Sequence, residues 1–358
     1  MNRESLSESS IKWCALLLFA VTPIALSRIV ISFGGPQPTF YSEKPPLLQK
    51  RTNVDTVVIG DSRVLRLDES VFQERGWNYF NMGLPGTSPE DAAMQLEYVL
   101  LRRPIKRVLI GACLEGMSET FPFQFSGCLG TPAFQDPKVV SFATVTSPAD
   151  GDDPHQATSP SWLELPKFLL PIGQASTAMH GRLISMGLEQ KPAWYLANGN
   201  MDYRDVERSI REGIYDFEKN RNPHTYFDRP EDAPGLLKNG TLPRYLTRLY
   251  QKMLDELRSR HIPTVVYETG RSPGLETLYA SNKTLSDLQA KWRAFFRSEA
   301  HDGVEFLDIA QTRDCYDDND FIDAVHFVGG TETRLARRLA DRLAQLEARM
   351  SLRKTSAQ

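Results

Sequence analysis

The sequence predicts an α/β domain in three layers, with a mainly parallel sheet between two layers of helices. Three observations lead there. Short apolar runs such as Val57-Val58-Ile59 and Val108-Leu109-Ile110 read as buried strands. Between such runs lie stripes in which large apolar residues recur every third or fourth position, as one face of a helix requires. The two kinds of segment alternate along the chain, which favours crossover connections and parallel pairing with helices on both faces.

The chain opens with a short, mostly polar stretch, 1–10, and then turns apolar over 11–33. Trp13 to Leu26 is almost continuous, and Ile29-Val30-Ile31-Ser32-Phe33 extends it past Ser27 and Arg28. That length approaches the roughly 20 residues needed to span a bilayer, with Arg28 able to snorkel. A cleaved signal peptide is the rival reading, but no A-x-A site follows and the run is long for an h-region. Cys14 stands at the start of the run, where a lipoprotein cysteine would not be. Arg3 and Lys12 precede it, so the segment is expected to be a single-pass signal anchor with the rest of the chain outside the cytoplasm. Residues 34–52, from Gly34-Gly35-Pro36 past Pro45-Pro46, read as a Pro/Gly-rich linker. The globular part is expected to begin near Asn53.

Strands are predicted over Asp55–Gly60, Trp77–Asn81 and Lys106–Gly111. A helix over Pro89–Arg102 has Ser88 as cap, Pro89 at its first position and Asp91 in the place of a capping-box acid. From about 116 to 235 the alternation breaks down, and a structureless loop of that length does not fit a compact domain, so the stretch reads as an insertion forming a lid or cap. Its aromatics Trp162, Trp194, Tyr195, Tyr203, Tyr226 and Phe227 are either its own core or platforms for sugar rings. The scheme then resumes. Leu242, Leu246, Leu249, Met253 and Leu257 form a helical stripe before strand Thr264–Tyr267. Leu285, Leu288, Trp292 and Phe295 form another before strand Val304–Ile309, and Leu335 to Met350 mark a terminal helix. The expected fold is a flavodoxin-like three-layer sandwich with a five-stranded parallel sheet, made of 53–115 and 236–350 and interrupted by the long insertion.

Composition narrows the function classes. A hydrophobic content of 41% supports a core, and a formal net charge of -3 supplies no basic field, so no nucleic-acid partner is expected. The four cysteines, Cys14, Cys113, Cys128 and Cys315, form no CxxC pair and no ligand spacing with the six histidines. Neither a metal nor a cofactor is expected. Cys128 and Cys315 fall in loops that should border the site, and an oxidised pair and free thiols are both open. Asp314, Asp317, Asp318 and Asp320 lack the glycine and terminal glutamate of an EF-hand loop and read as a polar active-site loop. His155, His180, His224, His261 and His301 fit no partner spacing.

The chemistry lies at the two ends of the domain. Gly60-Asp61-Ser62 follows the first strand and delivers a hydroxyl at its carboxyl end, where open α/β sheets keep their sites. Alone, these three residues read equally as a turn that caps a helix. Asp323-Ala324-Val325-His326, just before the last helix, adds a carboxylate three residues ahead of an imidazole. On a helical turn that spacing puts both on one face, so Asp323 orients His326 while the other ring nitrogen takes the Ser62 proton. Donors for the developing oxyanion are the Ser62 N–H and Gly86, which closes Asn81-Met82-Gly83-Leu84-Pro85-Gly86 and serves also as a turn glycine. Arg63 and Arg66 either attract an anionic polymer or a carboxylate, or are solvated or paired helix residues.

This order of motifs resembles the SGNH, or GDSL, hydrolase superfamily. The resemblance covers the first block (Gly60-Asp61-Ser62), the glycine block ending at Gly86 and the last block (Asp323 to His326). It departs at the third block, where the family's asparagine is replaced in Ala112-Cys113-Leu114-Glu115-Gly116 by Glu115. A carboxylate donates no hydrogen bond to an oxyanion unless protonated. Together with the anchor, the pattern is similar to membrane-anchored acyltransferase-like proteins of polysaccharide O-acetylation and teichoic acid D-alanylation. The resemblance implies a serine acyltransferase or esterase acting on acyl groups, acetyl foremost, of a cell-envelope or exported polysaccharide. It also implies a membrane-bound acyltransferase partner and a periplasmic domain on the inner membrane. The alternatives are a non-catalytic binding or assembly component of such a complex, and a simple lipase or esterase.

Overall fold

Strands β1 (Thr56–Ile59), β2 (Tyr79–Asn81), β3 (Arg107–Ala112), β4 (Thr264–Glu268) and β5 (Val304–Leu307) carry apolar residues on both faces, and this makes the architecture three-layered. The structure is a computed structural model that describes residues 40–117, 128, 131–143, 195–221 and 242–356. All of them belong to one unit. The expected anchor over 11–33 lies outside the described residues, and among those no helix is long and apolar enough to cross a membrane.

The main helices of that unit are α1 (Phe40–Lys50), α2 (Glu69–Gln73), α3 (Pro89–Leu100), α4 (Pro137–Ala143), α5 (Arg204–Arg211), α6 (Arg244–Ser259), α7 (Pro273–Ser281), α8 (Lys283–Ser298) and α9 (Gly330–Ser356), with single turns over Phe217–Arg221 and Ile309–Thr312 besides. The sheet order is β2-β1-β3-β4-β5, every pair parallel, which is the flavodoxin-like order. Val57, Ile59, Val108, Ile110, Val266 and Phe306 point to one core, shared with Leu48 of α1, Leu96 of α3, Met253 of α6 and Trp292 of α8. Val58, Leu109, Val265, Tyr267 and Leu307 point to the other, closed by Phe72 of α2 and by Leu335, Leu339 and Leu343 of α9. The α/β sandwich is therefore as expected.

Local chemistry sets the ends of the elements. Helix α3 starts at a reciprocal capping box, with Ser88 Oγ accepting from Asp91 N and the Asp91 carboxylate accepting from Ser88 N. Strand β5 stops at Leu307, two residues before the predicted end, because the Asp308 carboxylate caps the next turn by accepting from Gln311 N. Strand β2 starts only at Tyr79, because Trp77 N still closes the turn after α2 on Phe72 O.

Two stretches differ from expectation. Residues 40–50, read as linker, form α1: Leu48 and Lys44 are fully buried, and Arg103 ends the helix by donating to Leu48 O and Gln49 O. In the stretch read as an insertion, the described parts pack on the α/β body. Helix α4 lies on α3, with Phe134 against Tyr98, and residues 198–201 run beside β2, where Asn81 N donates to Asn198 O and Met201 N to Leu65 O.

Candidate active site

The turn after β1 is set by Gly60, whose φ of +146° excludes most side chains and whose Cβ would come within 2.7 Å of Gly111 O. Asp61 then reverses the chain. Its Oδ1 accepts from Arg63 N at 2.9 Å and starts a single 3-10 turn over Ser62–Val64. Ser62 thus stands at the carboxyl end of β1, between β2 and β3, at the switch point where open sheets leave a crevice.

His326 reaches this crevice from the other end of the chain. Its loop is not the helical turn the spacing suggested. Phe321 and Phe327 form an antiparallel bridge, Ile322 N donates to His326 O at 2.9 Å, and the residues between are held as a tight loop. Within it Asp323 Oδ1 accepts from Val325 N (2.8 Å) and His326 N (2.7 Å), while Oδ2 lies 2.6 Å from His326 Nδ1. Burial pushes the Asp323 carboxyl up, but the bonds from His326 and these backbone N–H groups outweigh it and hold it below the usual range. An ionised Asp323 fixes the tautomer with hydrogen on Nδ1 and leaves Nε2 as an acceptor. Nε2 is buried and meets no hydrogen-bond partner among the described residues, Ser62 included. Ser62 and His326 line one narrow crevice, closed too tightly to hold a water molecule, together with Arg63, Arg66, Tyr203 and Phe327.

Of the residues singled out in the sequence, the structure brings Ser62, Asp323 and His326 together. Gly86 stands in the turn before α3, at φ +62°, and is not among the residues lining the cleft. No protein-family model matches this chain, and no curated protein matches it.

Glu115, at the position where the resemblance expects an asparagine, is taken up by an ion pair. It is buried in a 3-10 turn after β3, with Oε2 3.0 Å from Arg63 Nη1. Burial pushes its carboxyl up, but Arg63 and Arg271 more than offset this and bring it down to about 2. It is a carboxylate at any physiological pH and donates nothing. The pair belongs to a longer chain of alternating charge, in which Asp61 Oδ2 lies 3.6 Å from Arg63 Nε and Arg271 bonds Glu268 at 2.6 Å. Glu268 also bonds Arg293 at 2.7 Å and accepts from Ile309 N. The first group, around Arg63, joins the carboxyl ends of β1 and β3 and the second, around Glu268, those of β4 and β5, and the two meet only through the attraction of Arg271 for Glu115. Sequence reasoning missed Glu268, Arg271 and Arg293; the only local signal was the i,i+3 spacing of the first two.

Arg63 and Arg66 are paired. Arg66 bonds Glu207 of α5 (2.6 Å) and Glu332 of α9 (2.7 Å), and its guanidinium lies 5.2 Å from the centre of the Tyr203 ring. Glu332 is pushed up to about 7, because burial outweighs the Arg66 charge while Glu207 and Asp68 add repulsion.

Cys128 and Cys315 are free thiols. They are buried in the two different cores, on opposite faces of the sheet, which rules out the oxidised pair. The aspartates read as an active-site loop border another cleft, of about 1300 Å³, between residues 307–319 and α9. Asp314 pairs there with Arg338, Asp318 with Arg313, and Asp320 with Arg334 nearby. Among the described residues no group of acids, histidines and cysteines could hold a metal ion. Tyr195 belongs to the core and Tyr203 walls the Ser62 cleft. Trp162, Trp194, Tyr226, Phe227, His155, His180 and His224 lie outside the described residues. His261 sits in a turn at φ +55°, and His301 is an exposed neighbour of Asp302.

Proposed function

We propose that this protein is an SGNH-like serine acyltransferase or esterase that moves acyl groups, acetyl foremost, on a cell-envelope or exported polysaccharide. The observation that carries the reading is His326 Nε2, an acceptor oriented by Asp323 and without a hydrogen-bond partner among the described residues, on the same narrow crevice as Ser62. Ser62 attacks the acyl carbon, His326 takes its proton, and the acyl-enzyme then passes its group to a sugar hydroxyl or to water. The apolar stretch 11–33 anchors the chain to the cytoplasmic membrane, with the enzyme domain on the periplasmic side and a membrane-bound acyltransferase as its source of acyl groups.

A second reading, a non-catalytic component of a polysaccharide-modifying complex, is favoured by one feature: Glu115 is committed to Arg63 where a side-chain donor is needed. One experiment separates the two. The full-length protein in mild detergent is exposed to 4-nitrophenyl acetate and its intact mass measured beside Ser62→Ala. A single acetyl adduct, absent from the variant, is expected; a folded protein that never acquires it is the non-catalytic component.

A further inference from the structure

Acyl transfer needs hydrogen-bond donors aimed at the carbonyl oxygen as it becomes an oxyanion. The position after β3 cannot supply one here, because Glu115 is an ionised acceptor held by Arg63. The elbow itself offers the Ser62 N–H, since its internal hydrogen bonds are donated by Arg63 N, Val64 N and Leu65 N. A second donor has to come from elsewhere on the cleft wall. Of the other side chains on that wall, Phe327 has no donor, His326 is the base, Arg63 is held by Asp61 and Glu115, and Arg66 is engaged by Glu207 and Glu332.

Tyr203 remains. It stands immediately before α5, in the stretch that interrupts the α/β alternation, with its ring beside the Arg66 guanidinium and its side chain on the cleft shared by Ser62 and His326. Among the described residues its hydroxyl forms no hydrogen bond, unlike that of Tyr215, which donates to Ile322 O. Burial and the nearby Asp323 charge push the phenol well above its ordinary range, so it keeps the proton it would donate. We propose that Tyr203 supplies the side-chain oxyanion donor of this site, in place of the donor that Glu115 cannot be.

The inference rests on the serine-acyl reading, and the step balances within it. The Ser62 Oγ–carbon bond forms as the carbonyl π pair moves onto oxygen, and the Oγ proton passes to His326 Nε2. The Ser62 N–H and Tyr203 O–H hold the oxyanion. The pair then returns, the bond to the leaving oxygen breaks, and His326 gives that oxygen its proton, leaving acyl-Ser62.

Tyr203→Phe tests this, because it keeps the ring beside Arg66 and deletes only the hydroxyl. With the full-length protein and 4-nitrophenyl acetate, the maximal rate of Ser62 acetylation should fall about 10²- to 10³-fold while the half-saturating ester concentration stays unchanged. Affinity for a methylboronic acid, which mimics the tetrahedral state, should fall in parallel. A variant that is acetylated at the wild-type rate, or that loses only ester affinity, overturns the donor role and leaves the serine mechanism standing. A wild-type protein that forms no adduct at all overturns both, so the two failures are distinct.

Discussion

Replacing Glu115 with glutamine removes one charge from the chain beneath the nucleophile while keeping its shape. The carboxyl sits at about 2 in the folded protein against an ordinary value near 4.5, which corresponds to about 3 kcal/mol of folding free energy at neutral pH. The group is fully buried, so water does not screen that value. The sign follows from the depressed value: this stability is present above pH 4.5 and is lost as the pH falls towards 2. Removing one partner of a buried ion pair typically costs about 3–5 kcal/mol, and glutamine, which still accepts from Arg63, should fall at the low end. Urea unfolding of the full-length protein and of Glu115→Gln at pH 7 and pH 3 reads this directly. The variant should be less stable by about 3 kcal/mol at pH 7, and the gap should shrink to about 1 kcal/mol at pH 3. Equal stability at pH 7, or a gap that does not change with pH, would show that the Arg63 pair does not hold the elbow electrostatically.

Three further perturbations probe the remaining contacts. Asp323→Asn removes the acceptor for the His326 Nδ1 hydrogen and favours the wrong tautomer, so Ser62 acetylation should slow by about 10³- to 10⁴-fold with the fold intact; an unchanged rate would remove Asp323 from the site. Glu332 has a folded value raised to about 7, so its ionisation costs stability as the pH rises from 4.5 through 7; Glu332→Gln should be the more stable form at pH 8, by up to about 3 kcal/mol, despite losing an Arg66 partner. Thermal unfolding at pH 5 and pH 8 checks it, and a less stable variant at pH 8 would refute it. Lys44→Met strips the buried amino group from Asn81 O and Gly199 O, and at about 1–3 kcal/mol for each orphaned carbonyl it should lower stability and open residues 195–201 to proteolysis; a cleavage pattern identical to wild type would deny Lys44 this clamping role.

The parts of the fold legible in the sequence were those governed by local pattern. Val57-Val58-Ile59 and Val108-Leu109-Ile110 had to be strands buried on both faces, and Ser88-Pro89-Glu90-Asp91 had to start a helix, because the physics involved spans a few residues. Helix α1 was hidden by Pro45 and Pro46, since linker composition outweighs a two-leucine face unless the core it meets is known. The Asp323-to-His326 spacing pointed to the correct pair by way of the wrong geometry: a bridge between Phe321 and Phe327, not a helical turn, brings the two side chains together. Cys128 and Cys315 could be separated only by knowing which face of the sheet each one enters.

The Arg63–Glu115 pair and the role proposed for Tyr203 follow from one residue, Glu115. An arginine directly after the nucleophile, with its guanidinium buried at the switch point, needs a carboxylate at the end of the neighbouring strand, and Glu115 is placed to be that carboxylate. Once it is there, β3 can no longer present a neutral amide to the reacting oxygen. Glu115 and Asp61 hold Arg63 beside Ser62, so the proposed reaction needs its side-chain donor from outside the sheet. Residues 195–201 are bonded to the end of β2 and to Leu65, three residues beyond the nucleophile, and they lead directly to Tyr203. With Tyr203 as the proposed donor, residues 195–203 complete the proposed site from outside the sheet.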